Sequence, residues 1–125
     1  MKLYRTLDEL EISGSIQELA EIHKSLISAS DNYNETFIFD KLGSAKSYDF
    51  LEGKLTISTN HEPACASYNE NLGVVITGNV ASLKALASFF DFELDASSGE
   101  HYHWDNACDL EYTSENTLPI VVSVE

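Results

Sequence analysis

The sequence predicts an α+β fold, a two-layer sandwich in which a mixed, mostly antiparallel sheet of about six strands carries two helices on one face. Three observations predict it. Two stretches, Ile16 to Ile27 and Val80 to Phe90, space apolar residues three and four apart, as a helix with one buried face requires. Short runs elsewhere alternate apolar and polar residues, as half-buried strands do. The order of these elements also recurs. Ile12-Ser13-Gly14-Ser15-Ile16 lines up with Ile76-Thr77-Gly78-Asn79-Val80 at an offset of 64 residues. Phe37-Ile38-Phe39-Asp40 meets Tyr102-His103-Trp104-Asp105, and Leu55-Thr56-Ile57-Ser58 meets Ile120-Val121-Val122-Ser123, both at an offset of 65. Few aligned positions are identical, so the shared order of patterns carries the comparison. The chain reads as one domain, 1–125, built from two strand-helix-strand-strand halves, 1–64 and 65–125.

The elements follow in order. Leu10 and Ile12 turn to one side of the first strand, and Gly14 makes the turn into a helix. Ser15 with Glu18 three residues on forms a capping box, and Ile16, Leu19, Ile22, Leu26 and Ile27 give the helix its apolar face. Phe37 and Phe39, then Leu55 and Ile57, complete the first half, with Gly43 to Gly53 as a polar connection. In the second half Val74 and Ile76 lead through Gly78 to Asn79, which caps a helix presenting Val80, Leu83, Leu86, Ala87 and Phe90. Tyr102 and Trp104 take the places of Phe37 and Phe39 beneath the helices. After the polar connection Ala107 to Pro119, Ile120, Val122 and Val124 close the sheet. The other sheet face is left to solvent, and function is expected there.

At 125 residues and 43% hydrophobic content, one core suffices without disulfides or metals, since folding at this length buries roughly two-thirds of the unfolded surface. Twenty-one Asp and Glu oppose seven Lys and Arg, for a net charge of -14. Such a surface repels phosphate backbones and anionic membranes, which argues against nucleic acid and membrane partners and for a basic protein. The imbalance is uneven: ten acids and six bases up to residue 60, then eleven acids against Lys84 alone. Excess carboxylates keep a protein dispersed, and they also steer a basic partner; composition alone leaves both readings open. Cys65 and Cys108 are sparse usage, as in a reducing compartment. Asp8 and Glu9 interrupt any signal-like run, and no apolar run approaches the ~20 residues of a membrane span. A cytoplasmic location is expected.

The densest cluster of chemistry-bearing residues is Gly99-Glu100-His101-Tyr102-His103-Trp104-Asp105-Asn106. With Tyr102 and Trp104 assigned to the core, His101, His103 and Asp105 fall on the open face. Imidazoles and a carboxylate at alternate positions can converge on a metal, but a closed structural zinc site takes four ligands and this cluster offers three. The plainer reading is a polar or partner-binding strand face. His-x-His-x-Asp resembles the ligand run of metallo-β-lactamase-like hydrolases in these residues only; that fold needs a longer chain and later ligands, and no histidine follows His103. A composite zinc site from His61, Cys65 and Cys108 with His101 or His103 can be drawn, yet no CxxC or HxxxH pair supports it. Neither a Gly-x-Ser-x-Gly elbow nor a glycine-rich phosphate loop occurs. Asp91-Phe92-Glu93-Leu94-Asp95 lacks the glycine and terminal glutamate of a calcium loop. No catalytic residue, cofactor or enzymatic activity is expected.

The helix Val80 to Phe90, the strand Gly99 to Asp105 and the closing strand Ile120 to Val124 resemble the predicted immunity proteins of bacterial polymorphic-toxin systems, family thirty-two. These small α+β proteins carry a similar helix and a Gly-x-His-x-His-x-Asp type of strand near the C-terminus. The resemblance implies a cytoplasmic antitoxin that binds and blocks a cognate toxin, often a nuclease. A basic protein toxin is thus the expected partner, met by Asp91, Glu93, His101, His103, Asp105, Asp109 and Glu111. The alternatives are a metal-binding module or metal-dependent enzyme using His101, His103 and Asp105, and an adaptor domain using the open sheet. Oligomeric state is not legible in the sequence.

Overall fold

Both helices begin where the sequence places caps. In the computed structural model, which describes residues 1–45, 47–107 and 110–125, α1 spans Ile16–Ile27 and α2 spans Val80–Ala87, continuing as a 3-10 turn, Ser88–Phe90. The Ser15 hydroxyl accepts from the Glu18 N–H at 3.1 Å, and the Glu18 carboxylate accepts from the Ser15 N–H at 2.9 Å, closing the capping box. Asn79 Oδ1 accepts from the Ser82 N–H at 2.7 Å. Leu19, Ile22 and Leu26 of α1 are buried, as are Leu83, Leu86, Ala87 and Phe90 after Asn79. Ile27, expected on the apolar face, is exposed. One residue is about 100° of helix rotation, and that step past Leu26 carries it off the buried stripe.

The nine strands among the described residues form two mixed sheets, not the one sheet of about six strands expected from the sequence. The five-stranded sheet runs β4 (Phe50–Glu52), β1 (Lys2–Arg5), β2 (Leu10–Gly14), β9 (Ile120–Val124), β8 (His101–Trp104). The four-stranded sheet runs β3 (Asn34–Ile38), β5 (Lys54–Thr59), β7 (Gly73–Gly78), β6 (Cys65–Asn69). Three strands escaped the sequence reading: β1 and β6 hold only one or two inward residues each, and β4 is a three-residue strand inside the supposed connection Gly43 to Gly53.

The halves do not fold side by side. β2 pairs in parallel with β9, and β5 pairs in parallel with β7, so each sheet takes strands from both halves. The antiparallel pairs β3–β5 and β8–β9 flank these contacts on one side, and β1–β2 and β6–β7 on the other. The inward residues Leu10, Ile12, Leu55, Ile57, Val74, Ile76, Ile120 and Val122 are all fully buried and join the helices in one core.

The aromatic placement differs in part from expectation. Trp104 and Phe39 are buried, whereas Phe37 is half-buried and Tyr102 is 44% exposed. Phe37 stands opposite Leu55 and Trp104 stands opposite Ile120. Pairing therefore sets Phe37 level with Trp104, two residues from the match drawn on sequence. Tyr102 instead stacks on Phe92 at 4.7 Å, beside the 3-10 turn.

One cation ties the two sheets at their edges. Arg5, only 5% exposed, donates to the Glu52 carboxylate at 3.2 Å, and its guanidinium lies 4.4 Å from the Phe50 ring centre and 3.6 Å from that of Tyr68. Phe50 and Glu52 belong to β4 and Tyr68 to β6, so one side chain joins an edge of each sheet through a charge pair and two cation–π contacts.

Two outcomes are expected. A Cβ added at Gly78 would lie 2.8 Å from Ala64 Cα, a backbone neighbour that cannot swing aside; Gly78→Ala should cost about 1–3 kcal/mol in urea unfolding, and an unchanged midpoint would contradict this packing. The Glu18 carboxyl sits below its ordinary value, first because it accepts from the Ser15 backbone and then because the Met1 ammonium lies 3.0 Å away. A depressed carboxyl stabilises the fold above the unfolded-state value and loses that contribution as pH falls through the folded one. The gap in melting temperature between wild type and Glu18→Gln should be present at neutral pH and should close in acid.

Candidate partner-binding site

Sheet register builds the outward face of the five-stranded sheet. Glu11 stands opposite Val121 and Val121 opposite His103; one step along, Ser13 stands opposite Ser123 and Ser123 opposite His101. Leu10, Ile12, Ile120, Val122 and Trp104 point into the core, so strand alternation turns these two rows outward. His101 and His103 thus lie on the open face, as the sequence predicts, and both are exposed. Their rings meet edge to face with centres 4.9 Å apart, and His101 Nδ1 donates to the Gly99 carbonyl at 3.0 Å.

The opposite wall comes from the first half of the chain. Tyr48, in the loop before β4, stacks on Tyr4 with ring centres 5.4 Å apart and points its hydroxyl at two carboxylates. It lies 2.8 Å from Glu11 Oε1 and 3.2 Å from Glu9 Oε2, and the Ser123 hydroxyl donates to Glu11 Oε2 at 3.0 Å. A phenol has one proton to donate, so the two glutamates share a donor that can serve only one of them at a time. Burial, the hydrogen bond to Glu11 and the negative charges of Glu11 and Glu9 push the Tyr48 hydroxyl well above the usual tyrosine range. Together these residues line a groove of about 470 Å³ with Val121 in its floor.

The remaining residues expected from sequence do not join this groove. Asp91 and Glu93 are exposed on either side of the buried Phe92, in the segment entering β8. The strand ends at Trp104, so Asp105 is not held at a third alternate position and sits half-buried beyond it; Glu111 is exposed further along. Along the chain β8 separates the two groups. Asp109 and Cys108 lie outside the described residues. Cys65 lines a different cleft, of about 680 Å³, with Glu62, Thr77 and Asn116 on the four-stranded sheet side, apart from the groove that holds His101 and His103. Among the described residues no group of three or more His, Cys, Asp or Glu is placed to hold a metal ion.

Sequence reasoning missed Glu9, Glu11, Tyr48 and Ser123. A signal existed for two of them: Ser123 lies between the inward Val122 and Val124, and Glu11 between the inward Leu10 and Ile12, and alternation alone turns both outward. Nothing in the sequence sets these two strands side by side.

The family model of Immunity protein 32 matches residues 73–124. The matched segment runs from β7 through α2 and β8 into β9, and so supplies His101, His103, Val121 and Ser123 to the groove. Glu9, Glu11 and Tyr48 come from outside it. No curated protein and no solved structure matches the chain. Among the described residues no helix is long and apolar enough to cross a membrane.

Tyr48 offers a direct check on this geometry. In a tyrosine-resolved NMR titration it should remain protonated at a pH where an exposed tyrosine has ionised, and Glu11→Gln should bring it back toward the ordinary value. Ionisation of Tyr48 in step with an exposed tyrosine would mean that its hydroxyl does not rest between Glu9 and Glu11.

Proposed function

We propose that the protein is an immunity protein, a non-enzymatic antitoxin that binds and neutralises a cognate basic toxin, with a nuclease as the expected toxin class. The match of residues 73–124 to Immunity protein 32 carries this reading. The charge supports it: a nuclease must be basic where it grips phosphates, and a chain of net charge -14 can occupy that surface in their place. A cytoplasmic site of action in a polymorphic-toxin or contact-dependent inhibition system follows from the same reading. The binding surface proposed is the second-half acidic set with the two histidines: Asp91, Glu93, His101, His103, Asp105, Asp109 and Glu111.

Co-expression with the product of the neighbouring toxin gene tests it. Cells should survive, and the two chains should purify together. Association should slow as salt rises, because screening cuts the reach of the field to ~8 Å at physiological ionic strength. Charge reversal at Asp91, Glu93, Asp105, Asp109 or Glu111 should weaken protection, mainly through the on-rate at rim positions, whereas Glu18→Lys and Glu21→Lys should matter less. Survival and binding unchanged by all five reversals and by salt would remove the acidic mechanism; failure to protect at all would remove the immunity reading.

A further inference from the structure

The groove on the outward face of the five-stranded sheet contains a combination that its own chain leaves half used. Glu9 and Glu11 are drawn to one phenol oxygen, and among the described residues neither carboxylate has a cationic partner. On the same face Lys2 stands opposite Ser13, but its ammonium is turned to Asp40 at 3.1 Å and to the Leu42 carbonyl. Two like charges held together without a counter-ion repel each other, and a cation entering between them would relieve that repulsion.

The rest of the lining narrows the kind of cation. Val121 gives an apolar floor between Glu11 and His103, and the wall facing the glutamates is formed by the two imidazoles. The walls stand two strand spacings apart, about 10 Å, wide enough for one side chain lying across the sheet. An apolar floor suits a methylene stem, and paired carboxylates suit the fork of N–H donors on a planar guanidinium. Aqueous inorganic cations match only the last of these features.

We infer that this groove receives an arginine side chain from the protein partner, its stem over Val121 between Tyr48 and His103 and its guanidinium on Glu11 and Glu9. The inference rests on the proposed immunity function for the identity of that partner, and it moves the centre of recognition from the second-half acids to two glutamates of the first half. The acids at 91–93 and 105–111 then act around the groove by steering, while Glu9 and Glu11 hold the anchor.

The test uses the full chain labelled with nitrogen-15 and two capped tripeptides, Gly-Arg-Gly and Gly-citrulline-Gly, which share a shape and differ by one charge. At millimolar concentration the arginine peptide should shift the amides of Glu11, Val121, Ser123, His101 and His103, and the citrulline peptide should not. The double variant Glu9→Gln, Glu11→Gln should weaken those shifts about tenfold or more. Its melting temperature should equal or exceed that of wild type, since a repulsion has been removed. Absence of groove shifts, equal shifts with citrulline, movement confined to the loops 91–100 and 110–116, or indifference to the double variant would each overturn the inference. A parallel capture of the neighbouring toxin separates the two readings. Capture undiminished by the double variant defeats the groove and leaves the immunity function standing; a groove that takes arginine in a chain that neither captures nor neutralises the toxin defeats the immunity function and leaves the groove.

Discussion

The exchange of closing strands between the halves is the constraint on which this structure depends. β9 lies in parallel beside β2, and β5 in parallel beside β7. A parallel pair cannot be made by a tight turn and needs a long connection: between β5 and β7 it is the segment 60–72, which contains β6, and between β2 and β9 it is most of the chain, both helices included. Neither half completes a sheet alone. The same exchange brings Leu10 and Ile12 level with Ile120 and Val122 inside the core and Glu11 and Ser13 level with Val121 and Ser123 outside it. Core and groove are two faces of one register, and a slip of one residue would lose both.

Charge is distributed in keeping with this architecture. The three ion pairs found among the described residues all use the first few residues: the Met1 ammonium with Glu18, Lys2 with Asp40 and Arg5 with Glu52. The first two are partly exposed and contribute little to stability. Arg5 is different, because its guanidinium is buried between two rings and holds an edge of each sheet. With Met1, Lys2 and Arg5 each paired with an acid of the same chain, and Lys84 the one base after residue 60, the molecule has little positive charge to set against its acids. Acids outnumber bases in both halves of the chain, so shape has to decide where a basic partner would be anchored.

Shape distinguishes the histidine strand from the acidic segments around it. His101 and His103 stand on a regular strand whose neighbours fix their direction, while Asp91 and Glu93 precede it and Asp105 and Glu111 follow it. A long-range field draws on all of these groups together, whatever their order in the fold. A specific contact needs groups held close on rigid elements. The outward face of β2, β9 and β8, completed by Tyr48, meets that need.

The sequence by itself determined what depends on neighbours a few residues apart. Ser15 with Glu18 and Asn79 with Ser82 start the helices because a cap bonds within its own first turn, and alternation turns Leu10, Ile12, Trp104 and Val122 inward and His101 and His103 outward because successive strand side chains oppose each other. Tertiary structure alone decided which strands meet. Alternation is the same whether a strand pairs with its neighbour in sequence or with one a hundred residues away, so neither the two sheets nor the parallel pairs could be read from it. The exposure of Tyr102 is decided likewise: its parity is correct for the core, but it sits near the start of an edge strand, against Phe92 and, edge to face, Phe89 of the 3-10 turn. The meeting of Glu9 and Glu11 with Tyr48 and Ser123 belongs here too, because a hydrogen bond between residues 11 and 123 exists only once long-range pairing has brought the two strands together.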